Sequence, residues 1–491
     1  MSKVTLDDSQ MPHYNRIIEM LSKRHFYIDT SVMGTGKTVL TMAIAQQTKR
    51  PLFVLCPKGC RDVWYDEAKK YGIVLIQVMG YSGLIGRKGS QPKHGYIKRK
   101  DVGPGNPTLS FYVDASLQTI IDNGALFIFD ESHNLRNKES QINMCSSIII
   151  NAIYGSKAGR SRFAFLSGTP ANKEEQCVTM MKSLQIIVDN HKIWTTGEKN
   201  AIFDITQFCS HYFKETFDVF NMTHPKPSNG KTANLWAYQC FTKVIFPQIA
   251  TAMPKVPLPF PIDIKNVVYK MAPERAKELN VAVSLLKMHI IDPSTGMKRT
   301  NIFGYEEKLV AIDYAKREIF ATQAYKVLMT VPGSKVCIFI DHLKPIDYVE
   351  QCLTHWGFKV LKITGETKPE ERTDYINKFR YDSNYRVLVG TTRSCSTGIN
   401  LHDEIGGQPR TMFISPSFHA MNLVQISHRI YRRGLKSPAT VRMVYGNTED
   451  SLEKRIYEIL ADRSAVLKDL LTQQVEDGFK FPIDYEFEKE E

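Results

Sequence analysis

Ser31-Val32-Met33-Gly34-Thr35-Gly36-Lys37-Thr38 is the stretch that decides the fold of this chain. It follows a short apolar run at residues 26–28 and opens a segment rich in Leu, Ala and Ile, Lys37–Thr48. A strand, a glycine turn and a helix in that order let successive backbone N–H groups curl around phosphate oxygens. Gly34 and Gly36 give the backbone the freedom to curl, and the helix N-terminus adds favourable potential for negative charge. Lys37 is then placed to reach the β- and γ-phosphates of ATP and the Thr38 hydroxyl to ligate Mg2+, while Met33, Gly34, Thr35 and Gly36 line the loop. Ser31 stands where the strict pattern has its first glycine.

Outward from this loop, short apolar runs recur at residues 52–55, 125–129 and 163–166, and again at 336–340, 360–363, 387–389 and 412–414. Runs of this length without alternation fit strands buried on both faces of a parallel sheet. Helical stretches lie between them, so strand and helix alternate, and they do so twice. The expected fold is therefore α/β: two doubly wound parallel-sheet lobes with a helical insertion between them. The expected limits are a first lobe at 1–222, a proline-rich connector at 223–262, a mainly helical insertion at 263–330, a second lobe at 331–475 and an acidic tail at 476–491. A basic, Gly/Pro-rich stretch at 87–107 reads as a surface loop.

Asp130 and Glu131 end the run at 125–129. In a parallel sheet, residues at the carboxyl ends of strands line the ligand crevice, beside the phosphate loop. Asp130 is suited to hold Mg2+ and Glu131 to activate the attacking water. Ser167-Gly168-Thr169-Pro170 ends the next run, and the hydroxyls of Ser167 and Thr169 are candidates to bond the acid pair and report the nucleotide state. In the second half Gln425, Arg429 and Arg432 are spaced to share one face of a helix. Two guanidinium groups there suit neutralisation of charge on the γ-phosphate. Thr391, Thr392 and Arg393 leave another strand end and suit contact with a nucleic-acid backbone or a nucleotide.

The totals bound the class. The chain has 491 residues, 43% of them apolar, enough for more than one core. A formal charge of +13 makes a polyanionic partner plausible but proves none. No apolar run approaches the roughly 18 residues of a membrane span, and residues 1–10 lack a signal-peptide centre. Nine cysteines without a Cys-x-x-Cys pair suit reduced thiols. The expectation is an intracellular protein (nucleus, cytoplasm, viral factory or virion) that is not secreted and has no membrane partner.

Taken together and in order, these blocks resemble the Swi/Snf-like ATPases of the second helicase superfamily over nearly the whole chain. Residues 33–38 resemble that family's first motif, and residues 55–67, with Pro57, Trp64 and Glu67, its next block. Residues 130–137 resemble the acid box, residues 167–172 the third motif, 391–401 the fifth and 425–434 the sixth, with Arg429 and Arg432 on its two arginines. Gly365, Glu371, Arg372 and Phe379 resemble the segment after the fourth. The chain departs in Ser132 of the acid box and in Leu435, where a glutamine is usual. The adenine-recognition block is reduced to residues 12–16, with Tyr14 or Asn15 at the expected glutamine position. In compactness the chain resembles members carried by large DNA viruses.

The resemblance implies RecA-like lobes and an ATP- and Mg2+-dependent motor that translocates on DNA, with duplex favoured and RNA open. A strand-separating DNA or RNA helicase shares every ATPase residue. A silent nucleic-acid-binding scaffold would have lost Lys37, Glu131 or an arginine of the sixth motif, and all are present.

Overall fold

The computed structural model describes residues 3–32, 34–85, 95–100, 110–135, 140–171, 173–187, 205, 207–208, 238–254, 258–290, 305–396, 398–417, 420–446, 465, 468–471 and 487–489. They form two compact units. The first comprises Met1–Val256 with Ala465–Asp477, the second Pro257–Ser464 with Gly478–Glu491.

The first unit is built on β1 (Phe26–Asp29), β2 (Leu52–Leu55), β3 (Leu75–Met79), β6 (Leu126–Asp130), β7 (Arg162–Leu166) and β8 (Ala250–Thr251), with a separate antiparallel hairpin of β4 (Ile97–Lys100) and β5 (Ser110–Val113). The sheet order is β3-β2-β6-β7-β1-β8, and every pairing in it is parallel. All four residues of β1 and of β2 are buried, as unalternating apolar runs require when helices cover both faces. Phe26, Phe53, Phe127, Phe129 and Phe163 are fully buried in this sheet, and Phe26 stacks on Phe163 at 5.3 Å. Burying each such ring contributes roughly 1.5–3 kcal/mol, so the strand ends that carry the chemistry stand on a stiff base.

The second unit has β9 (Ile262–Tyr269), β10 (Lys335–Ile340), β11 (Val360–Ile363), β12 (Val387–Thr391), β13 (Arg410–Ile414), β14 (Ala439–Gly446) and β15 (Phe487–Lys489). Their order is β11-β12-β10-β13-β14-β9-β15, again wholly parallel. Two doubly wound parallel sheets are thus present, as expected.

Domain limits differ from the sequence reading in three places. Residues 238–251, expected in an irregular connector, belong to the first unit: Phe241–Ile245 and Phe246–Ile249 are helical and Ala250–Thr251 joins β1. Pro247 lies just after the wide turn Phe241–Ile245, where the helical hydrogen-bond spacing is already altered. Residues 263–269, expected to open a helical insertion, lie in β9 between β14 and β15, and only then do the helices Pro273–Ile290, Tyr305–Ala315 and Arg317–Thr330 follow. The C-terminal part divides: Leu470 packs into the core of the first unit, and Asp469 accepts a hydrogen bond from Tyr238, whereas residues 487–489 of the acidic tail add β15 to the second sheet. Residues 223–237 of the connector and most of the basic stretch at 87–107 lie outside the described residues. None of the described helices is long and apolar enough to cross a membrane.

Candidate nucleotide site and second-unit motifs

Three neighbouring strands deliver the candidate residues to one edge of the first sheet. In register, Asp29 of β1 pairs with Leu166 of β7, and Leu166 pairs with Asp130 of β6. The phosphate loop, the acid pair and the Ser167 segment therefore leave the sheet at the same level.

In the loop, Gly34 has φ +81° and Gly36 φ +100°, a region glycine enters without strain. A Cβ on Gly36 would stand 2.9 Å from Gln10 Nε2, the far end of a flexible side chain, so it is the positive φ rather than the space that asks for glycine here. Gly36 caps the helix Lys37–Thr48. Lys37 Nζ donates to the carbonyls of Ser31 (2.7 Å) and Val32 (3.3 Å), which holds the ammonium over the loop. Thr38 is half-buried at the helix start. Met33 lies outside the described residues.

Sequence reasoning missed what secures this loop from below. Asp29 is fully buried; its Oδ1 accepts from the Ser31 N–H at 2.8 Å and its Oδ2 lies 3.4 Å from His13 Nε2. Burial alone would raise the Asp29 carboxyl; the His13 ring and Lys37 outweigh it and hold it below the ordinary range. Ser31 Oγ accepts from the Met253 N–H at 2.8 Å, which gives the departure from glycine a structural use. The glutamine that touches the loop is Gln10, whose Nε2 donates to Thr35 O at 3.2 Å. Tyr14 is half-buried and Asn15 exposed on the helix Met11–Lys23. A signal was present: Gln10 directly precedes a helix with proline in its first turn.

Asp130 and Glu131 turn sharply off β6. Glu131 has φ +51°, a left-handed conformation that is costly for a residue with a side chain and that recurs at functional sites. Trp64 Nε1 donates to Asp130 Oδ2 at 2.9 Å, Tyr81 Oη donates to the Asp130 carbonyl at 2.7 Å, and the Glu131 N–H donates to Asp130 Oδ1 at 3.0 Å. Burial first, and the charge of Glu131 second, push the Asp130 carboxyl up to about 7, against the Trp64 bond and Lys37. Glu131 Oε2 lies 3.3 Å from His133 Nδ1, which lies 3.2 Å from Ser167 Oγ. Ser167 Oγ also accepts from the Thr169 N–H at 3.2 Å. His133 Nδ1 thus stands between the Glu131 carboxylate and the Ser167 hydroxyl, and links the acid pair to the third segment. Arg136, Asn137 and Asn172 lie outside the described residues.

These groups fit a magnesium nucleotide. Thr38 and Asp130 supply hard oxygen donors at this end of the sheet. Such a sparse set suits Mg2+, which is held largely by phosphates and water.

The second unit differs from expectation in its sixth segment. The helix runs Ala420–Ser427 and stops, so Arg429 and Arg432 do not share a helical face with Gln425. The stop has a local cause. Ser427 Oγ donates to the Val424 carbonyl at 3.0 Å, His428 Nδ1 lies 3.0 Å from the same oxygen, and the Arg429 N–H turns to Ile426 O. Side chains that capture backbone carbonyls in this way compete with helix propagation. Gln425 is fully buried. Arg429 is also buried, donating to the Ser396 carbonyl and to the Ile399 carbonyl (3.2 Å), while Leu401 N–H donates to Arg429 O at 2.9 Å. Arg432 is half-buried.

The fifth segment is ordered by its own hydroxyls. Thr391 Oγ1 accepts from the Ser394 N–H at 3.3 Å, capping the short turn Thr392–Cys395, and Arg372 donates to Ser394 O at 2.6 Å. Thr392 is buried and Arg393 is exposed.

The glycine loop after β1, the acid pair ending β6 and the hydroxyl segment after β7 together form the arrangement of a nucleotide-binding parallel-sheet unit. Comparison with known proteins goes further. Residues 320–434 match the helicase conserved C-terminal domain. A protein of Acanthamoeba polyphaga mimivirus, whose name carries the words ATP-dependent RNA helicase, is 22% identical over 93% of this chain and 82% of its own length. A SWI/SNF-related, matrix-associated, actin-dependent regulator of chromatin (subfamily A-like protein 1) of Drosophila melanogaster is 22% identical over 89% of this chain and 52% of its own. The DNA annealing helicase and endonuclease ZRANB3 of Bos taurus is 22% identical over 86% and 37%. The chain spans about half or less of these two animal relatives. Over most of its length the chain is thus similar to Swi/Snf-related and viral helicase-type proteins, with the helicase C-terminal domain matched in its second half.

Proposed function

We propose that the protein hydrolyses ATP to drive movement along nucleic acid, with duplex DNA as the track. The Glu131–His133–Ser167 link carries this reading, because it joins the residue that would activate water to a segment leaving a different strand. A change at the nucleotide is then felt outside the nucleotide loop, as a motor requires. In this reading residues 33–36 wrap the phosphates, Lys37 neutralises the β- and γ-phosphates, and Glu131 orients the attacking water. Thr38 and Asp130 would hold Mg2+, which when bound neutralises phosphate charge. Arg432, supplied by the second lobe, stabilises charge that develops as the terminal phosphate leaves. Arg429 and Gln425 hold that segment in shape, and Thr391, Thr392 and Arg393 engage the nucleic-acid backbone. Such contacts fall on phosphates, so binding weakens steeply with salt and depends little on sequence.

The name of the mimivirus relative favours a second reading, in which the track is RNA. ATP turnover measured with duplex DNA, single-stranded DNA and RNA separates the two. Greatest stimulation by duplex DNA supports the main reading, and greatest stimulation by RNA replaces it with the second. Strand displacement on forked substrates distinguishes unwinding from translocation.

A further inference from the structure

Trp64 lies on the helix Arg61–Tyr71 and is 1% exposed, yet its single polar atom is directed at Asp130 Oδ2 rather than at a backbone carbonyl. A buried indole must find an acceptor for its N–H, so the choice of partner carries information. Two further donors complete the grip: the Tyr81 hydroxyl on the Asp130 carbonyl and the Glu131 N–H on Oδ1. Backbone and both carboxylate oxygens of Asp130 are therefore each fixed by one donor. We infer that Trp64 is a positioning residue for the reaction, its N–H fixing the carboxylate plane of Asp130 in the orientation that receives the metal of a magnesium nucleotide. This rests on the reading of Asp130 as the magnesium-holding carboxylate. A rigid ring is better suited to that task than a lysine or a hydroxyl, because two side-chain torsions and a packed core set its direction.

The test removes the N–H and keeps the shape. β-(3-Benzothienyl)alanine in place of Trp64 has sulfur where the indole has N–H, and Trp64→Phe serves as a second, encodable variant. Mn2+ binding to the full chain with ADP is followed by electron paramagnetic resonance, beside metal-free ADP binding and the thermal midpoint. Mn2+ binding should weaken roughly tenfold or more, the size of effect typical when a group orienting a metal ligand is lost. Metal-free ADP binding and the thermal midpoint of the benzothienyl variant should stay close to those of the parent. Unchanged Mn2+ affinity in the benzothienyl variant would reduce Trp64 to a space-filling residue. Asp130→Asn is the control that separates the two levels. If it weakens Mn2+ binding while the Trp64 variants do not, only the inference about Trp64 falls; if it too has no effect, the magnesium role of Asp130 falls with it.

Discussion

The hydroxyl of Ser31 accepts a hydrogen bond from the backbone N–H of Met253 at 2.8 Å, tying the phosphate loop to a residue 222 positions downstream. The adjoining Thr30 N–H donates to Thr251 O at 2.9 Å, so two consecutive loop residues hold the segment that leaves β8. Ser31→Ala leaves the buried Met253 N–H without its acceptor. We expect a loss of about 1–3 kcal/mol in unfolding free energy, read from denaturant titration, because an orphaned buried donor loses its solvation outright. A loss under half a kilocalorie would mean that the contact is incidental.

Glu131 takes a left-handed backbone and meets His133 at 3.3 Å, a geometry that aims its carboxylate without making it part of the loop. Glu131→Gln keeps the shape and removes the proposed base. Nucleotide binding should persist, while turnover falls by about 10²- to 10⁴-fold, the range for loss of general-base catalysis. Equilibrium binding of a fluorescent nucleotide and steady-state hydrolysis, measured side by side, check this.

Arg429 should behave as a support. Its guanidinium bonds the Ser396 and Ile399 carbonyls from a buried position. Arg429→Ala leaves those carbonyls without donors and should lower the thermal midpoint as well as turnover. Arg432→Ala, at a half-buried position, should lower turnover alone. Equal thermal midpoints for the two variants would contradict this division.

His402 gives the second unit an acid limit. Burial, aided by Arg432 and Arg380 and opposed by Glu404, pushes its pKa down to about 4 from an ordinary 6.5. Between those values the unfolded chain binds more protons than the folded one, so stability falls as pH falls through that window and is fully present above it. Denaturant midpoints taken from about pH 7.5 down to about pH 5 should decline, and His402→Gln should decline less steeply. Parallel curves would place the acid limit elsewhere.

The sequence made the unalternating strands and the glycine loop legible because both depend on local physics. Runs buried on two faces and a turn needing positive φ leave their mark in consecutive residues. Residues 262–269 were hidden because Asp263, Lys265 and Asn266 interrupt the run, although Asn266 is buried in the finished sheet. His13 was hidden for another reason: it matters through Thr251, far along the chain, which no spacing rule connects. The helix carrying Gln425 was overextended because its pattern persists past Ser427, while hydroxyl and imidazole groups take over the Val424 carbonyl.

In the proposed function, the first lobe binds the nucleotide and an arginine of the second is needed to split it. The direct measurement is duplex-DNA-stimulated ATP turnover of Arg432→Ala, set against its nucleotide affinity and against Lys37→Ala. Affinity should stay within a few-fold of the parent while turnover drops by about 10³-fold or more, the scale of an arginine finger, and Lys37→Ala should be inactive. Parent-like turnover in Arg432→Ala would contradict the claim.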